Sequence, residues 1–480
     1  MKVTSTLDDK SANVVTSGSP YAVVLRLATP TVLAMLTQSA VNEIDIVFFS
    51  WLPHPESSNA QAALFPSLIL LWMFGGSLSA ISVGTQALAA RRFAEGKLAD
   101  AGAVLVNSWF FSMVAGIAFT VLGYLTLPLV LGAAIQVPEV RASAQAYLQW
   151  RLLGIASMAM TFSYKAFFDG IGRTYVHMAS AVVMNVINVV LCLAFIFGRW
   201  GAPRMGMAGA GVAAFIATWI GLAIMIGWAA LPRYRRPHQP FKLPLLSRPL
   251  TWNILRLSVP SAVATIAVMS GFLLFSLIVS YLDATKQGQV MVEGHGGRME
   301  AVNSAATAVI VGILKLTFTA CLAFGTSTAT LVSQSLGEGN PDKAARFGWV
   351  SVRLGLLIFG VVGFLEGVLF PHQILSLVTK SPAVLEAALG PMRIMGICTP
   401  LIAVGMILTQ ALFGAGNTRF VMIVELVLHF LCLVPLAWLL GLKFHLGLIG
   451  IWSAAVTYVV ALTTIMVWKF ARGDWKAIRI

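Results

Sequence analysis

The sequence carries little charge. Only 10% of its 480 residues are Asp, Glu, Lys or Arg, whereas 58% are hydrophobic and the mean hydropathy is +0.86. A soluble protein carries about 25% charged residues, because water must solvate its surface. The few charges lie between long apolar runs, so the composition excludes a soluble globular protein and predicts an integral membrane protein.

Cysteine and histidine are also sparse. The four cysteines lie singly in apolar segments, which predicts neither a disulfide framework nor a zinc site. The seven histidines form no HExxH or other paired motif. We therefore expect no cofactor and no metal centre, and a membrane-embedded transferase is a less favoured alternative because it needs a catalytic cluster.

Two further features are missing. The first twenty residues are polar and lack the apolar core of a signal peptide, so we expect the first spanning helix to be retained as an uncleaved anchor. The net charge of +14 is spread over short loops instead of forming one patch. This distribution predicts no nucleic-acid partner.

What the sequence does contain is a series of apolar runs. A helix needs about 20 apolar residues to cross a hydrocarbon core of about 30 Å. The runs are continuously apolar and do not alternate with a period of two, which predicts helices and not a barrel. Twelve spans are predicted, at residues 25–51, 62–84, 103–127, 145–166, 177–198, 207–230, 254–281, 303–326, 347–370, 392–413, 419–441 and 447–470.

Lys and Arg predict the orientation. With the N-terminus in the cytoplasm, about 22 of the 32 basic residues lie inside and about nine outside, and Lys315 lies within a span. The bias predicts two cytoplasmic termini and a multi-pass protein of the plasma membrane, which in a bacterium is the inner membrane. Segment 231–253, basic and proline-rich, is interpreted as a cytoplasmic linker between lobes 1–230 and 254–480.

An internal repeat supports this division. Four short patterns recur in the same order at offsets of 230, 243, 244 and 241 residues. The pairs begin at Leu25 and Leu255, Glu95 and Glu338, Gly170 and Gly414, and Gly206 and Gly447. The predicted fold is therefore an all-α integral membrane protein of twelve transmembrane helices, in two six-helix lobes related by a parallel repeat. The increase in offset indicates an insertion at the polar loop Asp283–Glu300.

The residues that carry the repeat also carry a family resemblance. Their order and spacing resemble the multidrug and toxic compound extrusion (MATE) family over essentially the whole chain. The matching elements are Leu27-Ala28-Thr29-Pro30, Gln38 with Asp45, the small residues from Gly84 to Gly96, Asp169-Gly170-Ile171-Gly172-Arg173-Thr174, Asn185 with Asn188, and Met205 to Gly211.

This resemblance implies an exporter and not an enzyme. Members of the family exchange cytoplasmic, often cationic, organic compounds for protons or sodium ions through a cleft between two lobes. We therefore expect a small-molecule substrate, membrane lipids as surroundings, a monomer, and H⁺ or else Na⁺ as the coupling ion.

Asp45 is the main candidate for the coupling residue. A carboxylate inside a spanning helix costs about 2.5–3.5 kcal/mol on insertion scales. Gln38, Asn42 and Asp45 are spaced i, i+4, i+7 and share one helix face. Counted from Arg26, Asp45 lies about 28 Å along the axis, which places it in the outer half. A permanently hydrogen-bonded structural carboxylate is the alternative.

Helix 5 offers partners for this carboxylate. Asn185, Asn188 and Cys192 are spaced i, i+3, i+7 and share a face. In proton-coupled relatives an Asp often occupies the position that matches Cys192, so this chain departs from the two-acid pattern. Hydrogen bonding between helices is the alternative role of the asparagines. Glu43 is a secondary candidate, or lies at the outer interface.

The second lobe lacks the acids that the resemblance associates with sodium. Because sodium needs several hard oxygen ligands and a proton needs one carboxylate, proton coupling is favoured over sodium coupling. Glu425 and His429, spaced i, i+4, form either a titrating pair or a buried structural pair. Glu366 is expected near the outer interface, and Lys315 deeper in its span.

Two other classes of membrane protein remain as alternatives. A lipid-linked oligosaccharide flippase shares the superfamily architecture but needs several Arg or Lys for pyrophosphate. Apart from Lys315, we expect the spans to be nearly free of basic residues. A channel needs a ring of pore-lining charges, which a two-lobe repeat does not provide.

Overall fold

The computed structural model describes residues 18–135, 137–284, 289–291 and 299–480. These residues form seventeen α-helices, α1 to α17 in chain order. The helices are Pro20–Ser50, Glu56–Phe74, Ile81–Ala94, Leu98–Ala134, Pro138–Leu153, Ile155–Gly170, Thr174–Phe197, Met207–Ala230, Pro232–His238, Arg248–Ala284, Val302–Gly337, Pro341–Phe364, Pro371–Val378, Pro382–Gly414, Thr418–Val427, Val434–Trp438 and Gly447–Arg472.

Short turns of other helical types connect or extend these helices. Turns of 3₁₀ type are Gly76–Ala80, Arg199–Gly201, Leu243–Leu245 and Asp474–Ala477. Wider π-helical turns are Leu365–Leu369, Leu428–Leu433 and Leu439–Lys443. The first π turn prolongs α12, the second connects α15 to α16, and the third prolongs α16. The predicted spans 347–370 and 419–441 therefore each lie in one long helical segment, Pro341–Leu369 and Thr418–Lys443.

The prediction of a twelve-helix membrane protein is confirmed. Within the described residues, ten helical segments are long and apolar enough to cross a membrane. The other two predicted spans, 62–84 and 145–166, are each divided between two helices. The first of these spans breaks at Gly75, between α2 and the 3₁₀ turn that leads into α3, and the second at Gly154, between α5 and α6. The apolar sequence continues across both breaks, so composition did not reveal them.

A small β-ladder is the non-helical element of the described chain. Strands β1 (Gln289–Met291) and β2 (Met299–Ala301) pair antiparallel, with Val290 opposite Glu300. These strands are not predicted from the sequence, because a segment of three residues is too short to show a period of two. Asp283 accepts hydrogen bonds from the backbone of Asn303 and Ser304 at 2.9 and 2.8 Å and thereby caps α11.

Contacts divide the chain into two compact units. The N unit comprises Thr29–Ala262, Ser333–Asn340 and Ile480. The C unit comprises the described residues up to Ala28 and those of Val263–Val332 and Pro341–Arg479. The predicted linker 231–253 holds α9 and the start of α10 and belongs to the N unit. The boundaries between the units fall inside α1, α10 and α11, since each of these long helices contributes residues to both units.

Small residues allow α12 and α14 to approach closely within the C unit. Gly363 and Gly367 form a G-x-x-x-G pattern that faces Gly396. A Cβ atom on Gly396 would overlap the Cα of Gly367, and one on Gly363 would overlap the carbonyl oxygen of Gly396. In a bilayer, where apolar burial does not drive helices together, such backbone contact supplies the packing energy.

We predict that Gly396→Ala destabilises the protein by about 1–3 kcal/mol, because the added methyl group forces the two backbones apart. Gly360→Ala is the matched control, since a Cβ at Gly360 on α12 meets no atom within 4 Å. Thermal unfolding in detergent micelles checks the prediction. Equal melting temperatures for the two variants would contradict it.

Candidate functional site

A buried carboxylate lies on α1 in the N unit. Asp45 is 9% exposed, and the thiol of Cys192 on α7 lies 3.8 Å from its Oδ1. The same thiol lies 3.8 Å from Oδ1 of Asn188. The polar face predicted for the fifth span, which is α7 in the structure, therefore does meet Asp45. A weakly polar thiol supplies little stabilisation to a charged oxygen, so other groups must compensate the burial of this acid.

A small polar cavity adjoins Asp45. Its volume is about 30 Å³, which is enough to hold a water molecule. Helices α1, α5, α7 and α8 form its walls. The lining residues are Gln38, Val41, Asp45, Arg151, Met184, Asn185, Asn188, Ala214, Ala217 and Thr218.

The cavity brings together four of the five main candidates predicted from the sequence. Gln38 and Asp45 come from α1, and Asn185 and Asn188 from α7. The side chain of the fifth candidate, Asn42, lies outside the described residues, as does that of Glu43. The i, i+7 and i, i+3 spacings thus predicted correctly which side chains share a face, and the structure shows that the two faces meet.

Several polar atoms around this cavity are unsatisfied. Oδ1 and Nδ2 of Asn185, Nε of Arg151 and the hydroxyl of Tyr147 are buried and have no hydrogen-bond partner among the described residues. An unpaired buried polar group costs about 1–3 kcal/mol. Asn185 and Arg151 line the cavity, so a small polar species there would satisfy their atoms, which makes the cavity a candidate binding site.

Arg151 is the component that the sequence analysis missed. The predicted span 145–166 contains it, although the spans were expected to be nearly free of basic residues apart from Lys315. In the structure, α5 extends to Leu153 and carries Arg151 on its last turn. The guanidinium lies 5.6 Å from the centre of the Tyr147 ring, one turn earlier, and interacts electrostatically with Asp45.

The sequence did contain a sign of this arrangement. Tyr147 and Arg151 are spaced i, i+4 inside the predicted span 145–166, a spacing that stacks two side chains on one helix face. A second basic residue of the same span, Lys165, forms a 2.7 Å ion pair with the buried Asp169. Opposite charges that neutralise each other can be buried inside the protein, so a basic residue does not have to lie in a solvent-exposed loop.

The C unit holds a second buried polar cluster. Nδ1 of His429 lies 3.4 Å from Oε2 of Glu425, and the hydroxyl of Tyr458 donates a 2.9 Å hydrogen bond to the same oxygen. The rings of His429 and Tyr458 are 4.6 Å apart. His429 lies in the π turn Leu428–Leu433 and fits against Gly271, where any Cβ would overlap its ring. The predicted Glu425–His429 pair is thus present, with Tyr458 as a third member.

The remaining candidates of the C unit lie elsewhere. Oε1 of Glu366 accepts a 3.0 Å hydrogen bond from Thr317, and Oε2 is buried without a partner among the described residues. Glu366 therefore faces α11. Lys315 is exposed on α11.

Comparison with known proteins places this chain among transporters. A family model described as MatE matches residues 30–194 and 295–439. The probable multidrug resistance protein NorM of Thermotoga maritima is 25% identical, over 94% of this chain and 92% of its own. The multidrug resistance protein PmpM of Pseudomonas aeruginosa is 25% identical, over 95% and 92%. The fold is similar to that of a MATE protein crystallised in complex with MaL6, with a TM-score of 0.83 at 21% identity, over 96% of this chain and 98% of that one.

We predict that Tyr458→Phe destabilises the protein by about 1–2 kcal/mol, because the buried Glu425 carboxyl group loses a donor. Tyr281→Phe is the matched control, since Tyr281 is 62% exposed. Melting temperatures of the two purified variants check the prediction. A loss of stability in Tyr281→Phe as large as that in Tyr458→Phe would count against it.

Proposed function

The chain belongs to the MatE family, as its sequence predicted, and on that premise we propose that it exports organic compounds from the cytoplasm in exchange for protons by alternating access. The observation that carries the proposal is the Asp45 cavity, where a carboxyl group inside a spanning helix adjoins unsatisfied polar atoms. Intramembrane carboxyl groups in such surroundings are typical of proton relays.

The relatives guide the proposed substrate class. Two of them are named multidrug resistance proteins, and they align with nearly the whole chain. We therefore propose drug-like compounds, cationic or amphipathic, as substrates. The excess of basic residues in alternate loops supports a plasma-membrane location, bacterial inner membrane by analogy with these relatives, with both termini in the cytoplasm.

The proposed coupling step is the protonation of Asp45. Binding of a proton removes the negative charge of the carboxyl group and with it the attraction that Arg151 and the cavity donors exert on it. Helix α1 contains Pro30, which lacks a backbone donor and lets the helix bend. Exchange requires that proton and substrate stabilise different conformations of the transporter, so a proton that leaves Asp45 toward the cytoplasm resets the cycle.

Two alternatives share this architecture. Sodium exchange would use the same cavity, whose amide and hydroxyl oxygens are hard ligands. A lipid-linked oligosaccharide flippase would need several basic residues for pyrophosphate, whereas the described cavity contains one arginine.

We predict that Asp45→Asn lowers pH-gradient-driven transport of a fluorescent cation such as ethidium at least about tenfold, because the amide cannot exchange a proton. The measurement uses proteoliposomes with an imposed pH gradient, with and without sodium. Asp100→Asn, an exposed acid at the start of α4, is the matched control and should transport like the wild type.

Unfolding is separated from loss of coupling by the melting temperature of each variant. Undiminished proton-driven transport in Asp45→Asn would refute the role of Asp45. Wild-type transport driven by a sodium gradient and not by a pH gradient would favour the sodium alternative.

A further inference from the structure

The Asp45 cavity has the oxygen atoms that an alkali cation needs. Besides Asp45, its lining includes three amide residues, Gln38, Asn185 and Asn188, and Thr218, whose hydroxyl already donates to Phe215 and accepts from Ser157. Several hard oxygens around one small space are the ligand set that hard metal cations prefer. Judged by its oxygens alone, the cavity would suit sodium as well as it suits a proton.

The cavity wall also carries a positively charged side chain. Arg151 lines the same space, and a guanidinium group stays charged at every physiological pH. Its Nε atom has no hydrogen-bond partner among the described residues, and its electrostatic partner is Asp45. The stack on Tyr147 holds the guanidinium at the cavity wall, because that ring is fully buried.

The charges that face Asp45 can be followed helix by helix. Helix α5 contributes Arg151 and the Tyr147 hydroxyl, and α7 contributes the Cys192 thiol. Helix α8 contributes Ala214, Ala217 and Thr218, which carry no charge. With Asp45 ionised and the tyrosine and thiol neutral, the described part of the site has one negative and one positive charge and is neutral overall.

This balance distinguishes a proton from a sodium ion. A sodium ion would have to enter a space of about 30 Å³ beside a fixed positive charge and give up its water there. Repulsion between two like charges is strong in a buried site, where the effective dielectric constant is low. A proton needs no space, because it forms a covalent O–H bond with the carboxylate.

We propose that Arg151 is a tethered counter-cation of Asp45 and that it makes this site select protons over sodium ions. The inference rests on the proposed function, in which Asp45 is the coupling residue. The positive charge of Arg151 neutralises the Asp45 carboxylate, as a bound metal cation would. When Asp45 takes up a proton, the guanidinium loses its counter-charge. This change favours a different arrangement of α1 and α5 in the N unit.

The test is sodium binding to the purified protein. Arg151→Met removes the charge and keeps much of the side-chain length, whereas Arg151→Lys keeps a charge and is the matched control. Binding of radioactive sodium and the sodium-induced shift in melting temperature are measured in detergent. Choline chloride replaces sodium chloride at constant ionic strength, so that screening does not change.

Wild type and Arg151→Lys are expected to show no Asp45-dependent sodium binding. Arg151→Met should bind sodium in an Asp45-dependent manner, at concentrations at least about tenfold below the highest at which the wild type is tested, since one repulsive charge is gone. The double variant Asp45→Asn with Arg151→Met should lose this binding again. Arg151→Gln serves the same purpose as Arg151→Met and covers the case in which the Met variant does not fold.

Two results would overturn the inference. One is Asp45-dependent sodium binding by the wild type, and the other is the absence of a gain in folded Arg151→Met and Arg151→Gln. Failure of the proposed function appears in a different experiment, as absence of proton-driven export by wild-type proteoliposomes, whatever the protein does with sodium.

Discussion

The N unit depends on the compensation of one buried negative charge. A carboxylate removed from water loses solvation that a single neighbour seldom restores. Here the thiol of Cys192 on α7 lies 3.8 Å from Asp45, and Arg151 on α5 interacts with it electrostatically. Since these groups come from different helices, the requirement to compensate this charge specifies which faces of α1, α5 and α7 must meet.

The same requirement gives a role to a break in the chain. Helix α5 ends at Leu153, and α6 begins at Ile155 after Gly154. The guanidinium of Arg151 therefore belongs to a short helix that ends beside the cavity. If the helix were regular through this span, α5 and α6 would share one axis. The break at Gly154 allows α5 to take its own direction along the cavity wall. The break at Gly154 thus lies next to the charge that the site must balance.

Spacing along single helices could be predicted from the sequence. The faces that carry Gln38 with Asp45, and Asn185 with Asn188, follow from the helical period alone, and both faces line the cavity. The twelve spans follow from apolar length. The breaks at Gly75 and Gly154 do not, because hydropathy is continuous across them and a break is decided by packing.

Contacts between distant segments could not be predicted. Tyr458 is 33 residues from Glu425, and the i, i+4 pattern of Glu425 and His429 contains no information about which other helix packs against them. Arg151 lies inside the predicted span 145–166, but nothing in that span identifies the group that it faces. Its partner on α1 lies more than 100 positions earlier, and helical periodicity does not identify which helices touch.

The π turns of the C unit change how its helices should be aligned with those of other proteins. A π turn contains one residue more than the regular turn it replaces, and one residue corresponds to a rotation of about 100° around the helix axis. Residues after Leu433 therefore face a direction that an uninterrupted helix of the same length would not give them. A relative with a regular turn there would reach the same facing with one residue fewer. A single-residue gap in an alignment at this place would then mark the interior of a helix and not a loop.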